Sequence, residues 1–287
     1  MISTNDNKKT NTVGVIPVSG WPGNLGFSWP DACMPIGGSY TAIERSILEC
    51  AYAGCTSIWV VCNDDSVSLI KHRIGDYVID PYCYDVKPYV KYFKEHTKQI
   101  PVFYTPIHPK DRERRDSLGW SVLHGCLSAF TVCSQISSWL APKKYYVSFP
   151  YGIYDPAVVR SHKKDINCKE NFFLAHEGKT VRDGMLLGFT ISPREWKILR
   201  NKLKSACTGG DKKIPYYERY SSRHFTLDKI FKSDIIVVDK KKEIDSYYDL
   251  NSWASLKSFY GSSFELEKPK EKILGPFYYK GIYNIED

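Results

Sequence analysis

The stretch that decides the fold runs Gly14-Val15-Ile16-Pro17-Val18, continues as Ser19-Gly20-Trp21-Pro22-Gly23-Asn24-Leu25-Gly26, and resumes at Tyr40 to Ala53 and Ser57-Ile58-Trp59-Val60-Val61-Cys62. The first run is short, apolar and β-branched, and glycines end it, so it reads as a buried strand followed by a glycine-rich loop. Tyr40 to Ala53 places Ile43, Ile47, Leu48 and Ala51 at helical spacing, with Ser39 or Thr41 as cap and Gly54 at the stop. A second apolar run follows at once. Strand, helix and strand joined by tight turns make a βαβ unit, which implies a parallel sheet with a right-handed crossover.

Outward from this unit the alternation continues. Helices are predicted at Asp65 to Ile74 and Val86 to His96, and a strand at Ile100 to Tyr104. A polar loop, Arg114 to Gly119, leads to a helix from Trp120 to about Trp139 and a strand from Lys144 to Phe149. The second half is less regular. It offers strands near Asn171 to His176, Met185 to Ile191 and Ile235 to Val238, with helices at Pro193 to Ala206, Thr226 to Phe231 and Ser252 to Tyr260, and a polar loop at Thr208 to Lys213. The expected fold class is α/β, a mostly parallel sheet flanked by helices with a mixed or antiparallel extension in the second half. One domain spanning residues 13–287 follows a loose, polar segment, residues 1–12.

Composition sets the limits on function. Among 287 residues, 40 Lys and Arg face 32 Asp and Glu, a net charge of +8. The lysines lie in short runs along the whole chain, which describes a solvated surface rather than a nucleic-acid stripe and is equally compatible with a phosphate-bearing small ligand. No apolar run approaches the about 20 residues of a membrane helix. The first dozen residues lack the basic-then-apolar layout of a secretion signal, so a cytoplasmic protein is expected. Nine cysteines form no CxxC pair, and Cys33, Cys50, Cys62, Cys126 and Cys133 sit among apolar neighbours, as reduced, buried thiols do. The 14% aromatic content suits base stacking, or an interface with a protein partner or a second copy of the chain.

In an open α/β sheet, ligands bind beyond the carboxyl ends of the strands. The Gly20 to Gly26 loop lies there, with backbone N–H groups able to cradle a phosphate or a base edge, or it is merely a tight turn. It is neither a GxGxxG nor a Walker loop. His72, His96, His108, His124, His162, His176 and His224 are scattered, with no zinc spacing. Lys110, Arg112, Arg114 and Arg115 form the densest basic segment, either a phosphate contact or a solvated loop.

The order of these motifs resembles the sugar-phosphate nucleotidyltransferases. The strand, Ser19-Gly20 and the glycine loop, Pro30-Asp31-Ala32-Cys33-Met34-Pro35-Ile36-Gly37-Gly38, the helix ending in Ala53-Gly54 and Ile58-Trp59-Val60-Val61 are similar to that family's opening. That family writes a GGxGTR loop, a Pro-Lys pair and a Leu-x-Pro-Val/Ile stretch there. Leu118-Gly119-Trp120-Ser121-Val122-Leu123 stands where the family has its base-binding turn, Glu177-Gly178-Lys179 resembles the Glu-Lys of its sugar-binding strand, and Leu187-Gly188-Phe189-Thr190-Ile191 its Gly-Ile/Leu-Tyr-x-Phe strand. Tyr247 to Leu256 is similar to its closing Trp-x-Asp-x-Gly-Thr motif. The resemblance spans residues 14–260, in order.

It implies a Rossmann-like, GT-A-like fold with Ser19, Gly20, Gly23, Asn24 and Gly119 at a nucleotide, and Glu177, Lys179 and Gly188 at a sugar. Asp249 would hold Mg²⁺ if the protein is active. The departures fall on the chemistry, since transfer of a nucleoside monophosphate needs cations at the phosphates and a divalent metal between two carboxylates. Asn24-Leu25 stand for the family's Thr-Arg, Asp31 for its Lys, and Tyr151 for its first metal-binding Asp. Two readings follow: a nucleotide or sugar-nucleotide binder whose transfer chemistry is in doubt, or a non-catalytic structural, assembly or regulatory module.

Overall fold

The computed structural model describes residues 11–21, 23, 25–37, 40–82, 99–208 and 225–266, the side chains of residues 40, 113, 114 and 206–208 excepted. The predicted helix at Val86 to His96, the predicted loop at Thr208 to Lys213 beyond its first residue, and Asn24, Gly38 and Ser39 lie outside the described residues. Twelve strands are described: β1 (Thr12–Pro17), β2 (Pro35–Gly37), β3 (Tyr40–Thr41), β4 (Ser57–Val61), β5 (Tyr77–Ile79), β6 (Gln99–Thr105), β7 (Lys144–Val147), β8 (Gly152–Ile153), β9 (Phe172–Ala175), β10 (Phe189–Ile191), β11 (Lys240–Glu243) and β12 (Tyr248–Asp249). The helices are α1 (Ala42–Tyr52), α2 (Asp64–Ile74), α3 (Pro109–Arg115), α4 (Leu118–Ile136), α5 (Ala157–Ser161), α6 (Lys163–Ile166), α7 (Pro193–Thr208), α8 (Leu227–Phe231) and α9 (Trp253–Tyr260).

Eight strands form one sheet in the order β11-β9-β10-β7-β1-β4-β6-β5. Its centre, β7-β1-β4-β6, is parallel throughout. Every residue of β1, β4 and β7 is buried, as expected for parallel strands covered by helices on both faces. Beyond β7 the sheet turns antiparallel through β10 and β9, and β5 adds an antiparallel edge at the other side. The chain winds outward from β1 to β4 and β6, then crosses back to β7. The strand order therefore reverses between β1 and β7, which is where a doubly wound sheet opens a crevice.

The βαβ reading of the opening segment holds. The Thr41 N–H donates to Glu44 Oε2 at 2.6 Å at the start of α1, and Gly54, with φ of +82°, turns the chain into β4. Helix α1 is buried on every side and carries a charged pair into the core. Arg45 Nη1 donates to Glu49 Oε2 at 2.7 Å, both side chains being 0% exposed. Glu49 also accepts from Tyr146 at 2.5 Å, Ser148 at 2.6 Å and Tyr154 at 2.7 Å, while Arg45 Nη2 donates to the Phe149 carbonyl at 2.6 Å. This polar hub ties α1 to the loop leaving β7.

Several expected boundaries are corrected. Thr12 is not loose: it is fully buried as the first residue of β1 and bonds Asn167 Oδ1 at 2.6 Å. Arg114 to Gly119 is not a loop throughout, since α3 runs to Arg115 and α4 starts at Leu118, capped by Ser117 Oγ on the Trp120 N–H at 3.3 Å. Helix α4 also ends at Ile136, short of Trp139. The strand expected from Met185 begins only at Phe189.

Ile235 to Val238 is not a strand. Only Ile236 in it is fully buried, and the chain instead pairs with β9 through Lys240–Glu243. An edge strand bonds on one side only, so a lysine run is tolerated there and discourages further pairing. Lys240 is also held by Asp165 at 2.8 Å and Glu170 at 3.2 Å. The seven described cysteines are free; Cys50, Cys55, Cys62 and Cys126 are buried, but Cys33 and Cys133 are only half-buried. Burial pushes the Cys62 thiol up to about 12.

Candidate functional site

Elements from five parts of the chain converge on a cavity of about 690 Å³. The loop after β1 contributes Gly20 and Trp21, the entry to α4 contributes Asp116 to Gly119, and the β9–β10 connection contributes Lys179 and Asp183 to Leu186. Phe225 to Asp228 and the β12 region, with Tyr247, Asp249 and Asn251, complete the wall. A second lobe shares Gly20, Trp21 and Asp116 and adds Ser19, Trp29, Asp31, Asn63 and Tyr151. Both lobes lie beyond the carboxyl ends of the central strands, at the strand-order reversal.

Backbone geometry explains the first wall. The Val18 and Ser19 N–H groups both donate to the Val61 carbonyl, at 2.8 and 3.0 Å, which anchors the end of β1 on β4. Gly20 then turns with φ of +79°, and a Cβ there would stand 2.3 Å from the Ser117 backbone. Only glycine lets the loop pack so closely on the start of α4. Ser121 Oγ closes the contact by donating to the Ser19 carbonyl at 2.6 Å. Gly119 sits in the first turn of α4, with Ile230 packed where its side chain would be.

Of the residues expected at a ligand, Gly20, Gly119, Lys179 and Asp249 line the main cavity, and Ser19, Asp31 and Tyr151 line the second lobe with Gly20. Three others lie elsewhere. Gly23 packs on the Trp21 ring, its Cβ position being 2.4 Å from the indole nitrogen. Glu177 is exposed at the tip of a two-residue turn between His176 and Lys179, with φ of +50° beside Gly178 at +77°. Gly188 is buried against the polar hub: its N–H donates to Tyr154 at 3.0 Å, and a Cβ would meet Tyr146 Oη at 2.3 Å and Glu49 Oε1 at 2.4 Å. It is a glycine because the hub leaves no room. His124, which could have faced the cavity, instead meets the Pro106 carbonyl at 3.0 Å.

The two positions of the expected metal pair do come together. Strand β12 pairs with β8 so that Asp249 stands opposite Gly152, and the Leu250 N–H donates to the Tyr151 carbonyl at 2.9 Å. The Tyr151 side chain, however, is buried, donates to the Val18 carbonyl at 2.7 Å and stacks on Trp21 with ring centres 4.1 Å apart. Burial raises its phenol far above the ordinary range, so no anionic oxygen faces Asp249. Asp249 itself accepts the Asn251 N–H at 3.1 Å. Among the described residues no three His, Cys, Asp or Glu side chains are placed to share a metal ion. The side chains present do not fit the family's two-carboxylate Mg²⁺ site.

Charge in the cavity is also unlike that of a phosphate-transfer site. Among the described residues, Asp116, Asp183, Asp228 and Asp249 line it together with the cation Lys179. The basic segment ahead of it is used otherwise: Arg112 pairs with Asp64 at 2.7 Å and Arg115 with Asp111. Asp155 accepts the Ala157 N–H at 2.9 Å at the start of α5, as a capping residue does. Sequence reasoning missed Asn63, although it follows β4 at the carboxyl edge, and Asp116, which ends α3. It also missed Met185, Leu186 and Phe225, which no local pattern marks.

Burial raises the Asp31 carboxyl above its ordinary range, while the Leu25 N–H and the Trp21 indole act the other way. A carboxylate with a raised folded pKa binds its proton more tightly in the folded than in the unfolded chain, so its ionisation costs stability as pH rises. Asp31→Asn is therefore expected to raise the melting temperature at pH 7. The gain should shrink on acidification and vanish below the unfolded value of about 3.8; a gain that persists at pH 3 counts against this cause.

No protein-family profile and no curated protein sequence matches the chain. Solved structures do. A candidate glucose-1-phosphate thymidylyltransferase from Bacillus anthracis, crystallised with sucrose, is similar over 90% of this chain and 98% of its own, at 9% identity and a TM-score of 0.53. Rv0371c from Mycobacterium tuberculosis H37Rv is similar over 88% of this chain and 100% of its own, at 12% identity and a TM-score of 0.51. At such identities the likeness is one of fold. The chain has the mixed α/β architecture of nucleotidyltransferase-like proteins, a mostly parallel central sheet flanked by helices.

Proposed function

We propose that this protein binds a nucleotide or sugar nucleotide in the two-lobed cavity and does not transfer a nucleoside monophosphate to a sugar phosphate. The observation that carries the reading is the cavity itself: it sits at the strand-order reversal, with the backbone of Gly20 and of Ser117 to Gly119 on one side. Phe225, Leu227, Leu186 and Tyr247 supply apolar and aromatic surface for a base or sugar. Transfer chemistry lacks support because it needs cations and a metal at the α-phosphate. Here Asp31 and Tyr151 stand where the resembling family has a lysine and a metal carboxylate, and among the described residues four carboxylates line the cavity with one lysine. The same charge balance favours sugar nucleotides over triphosphates.

Thermal melting tests this directly. A ligand present at 100 Kd stabilises the native state by about 2.7 kcal/mol, which raises Tm by about 5–10 °C for a chain of this size. Sugar nucleotides should shift Tm more than nucleoside triphosphates, with or without Mg²⁺. No shift with any member of either set overturns the binding reading. Pyrophosphate release from a triphosphate and a sugar phosphate overturns the absence of transfer.

A second reading, a module that docks a protein partner, is favoured by one observation. Val132, Ile136, Trp139 and Leu140 are exposed together around the end of α4, Trp139 by 86%, and large exposed apolar residues in a group mark interaction surfaces. No helix among the described residues is long and apolar enough to cross a membrane.

A further inference from the structure

Behind the cavity wall, between the end of α3, the first turn of α4 and the middle of α7, two guanidinium groups share one indole. Arg115 lies 4.9 Å from the Trp120 ring centre and Arg200 lies 5.5 Å from it. Trp120 is 1% exposed and the Arg115 side chain 9%. Three donors in this cluster, Arg115 Nε, Arg200 Nε and Trp120 Nε1, are buried without a hydrogen-bond partner among the described residues. Such groups are normally paired, so three together call for an acceptor.

The described side chains around the cluster do not provide it. Asp111 is engaged by Arg115 Nη1. Arg200 makes no ion pair among the described residues, and burial and the neighbouring Arg115 both act against its charge, with only Asp111 favouring it. His124 also lies near Arg200; burial lowers its pKa, and an imidazole, neutral or protonated, supplies no negative charge. Among the described side chains, Arg115 and Arg200 together exceed Asp111 by one positive charge. Guanidinium groups bind oxyanions through paired N–H donors, and an indole N–H can only donate.

We propose that this niche binds a small oxyanion of the phosphate type, held by Arg115 and Arg200 with the Trp120 indole N–H as a third donor. The anion neutralises the excess charge and gives the orphaned donors an acceptor. It enters from the side of Arg200, the less buried of the two arginines. The niche is separate from the cavity, although Arg115 directly precedes Asp116 and Ser117 in the cavity wall.

The probe is inorganic phosphate, titrated at constant ionic strength against chloride while Tm is followed. Tm should rise with phosphate and saturate. Arg115→Gln removes a core ion pair and can fail to fold, so Arg200→Gln carries the test: it should fold and lose the phosphate-dependent rise. Lys179→Gln, in the cavity, should keep it. Glycerol phosphate separates the sources of the group: a rise that Arg200→Gln removes admits phosphate esters, and a rise with inorganic phosphate alone restricts the niche to the free ion. The proposal is overturned by no rise beyond the chloride control, by a rise that survives in Arg200→Gln, or by a rise lost in Lys179→Gln.

Discussion

Glu49→Ala should destabilise the fold by about 3–5 kcal/mol, the range for removing one member of a buried ion pair. For a chain of this length that lowers Tm by on the order of 10 °C. The cost comes from what is left behind. Arg45 keeps its charge in the core, and the hydroxyls of Tyr146, Ser148 and Tyr154 lose the carboxylate to which they donate at 2.5, 2.6 and 2.7 Å. Each orphaned buried group carries its own desolvation penalty. Glu49→Gln keeps the shape and part of the bonding and should cost less. Replacing Arg45 and Glu49 together by Met and Leu should recover much of the loss, since no unpaired charge then remains. Equilibrium denaturation of the four proteins checks the order, and a Glu49→Ala loss under 1 kcal/mol, the usual worth of an exposed pair, would refute the hub.

Gly20→Ala should cost about 2–5 kcal/mol, the sum of left-handed strain of about 1–2 kcal/mol and a backbone clash of about 1–3 kcal/mol. The clash is with Ser117, whose backbone atoms lie 2.3–2.6 Å from the added carbon and belong to the cap of α4 rather than to a flexible side chain. Either the loop or the start of α4 must move, and both line the cavity. Ligand-dependent stabilisation should therefore fall along with stability. Gly26→Ala is the control, because φ is +76° there too but nothing lies within 4 Å of the new carbon. It should show the strain alone and leave ligand binding intact. Equal losses in the two variants would mean that the Gly20–Ser117 contact contributes nothing.

Local sequence made much of the architecture legible because its periodicities describe hydrogen bonding within a few residues. The strand read at Gly14 to Val18 and observed as Thr12–Pro17, helix α1 with its Thr41 start and Gly54 stop, and the strand Ser57–Val61 all occur where apolar spacing and punctuation put them, within a residue or two. The same reading noted an aspartate at position 31 and a tyrosine at position 151, since a residue type is visible without coordinates.

It failed where the environment is assembled from distant parts of the chain. Lys240–Glu243 outcompetes the more apolar Ile235 to Val238 because an edge needs one bonding partner and tolerates charge. Gly188 looked like a sugar contact, but it is a glycine because Glu49, 97 residues from its partner Tyr146 in sequence, fills the space above it.

The sequence by itself determined the α/β alternation and the place of the glycine loop at the carboxyl edge, both properties of neighbouring residues. Only the tertiary structure decided which glycines face the cavity, how Asp249 meets Gly152, and that Arg115 and Arg200 share the Trp120 ring. Those depend on burial and on pairing across the sheet, which chain-local patterns do not encode.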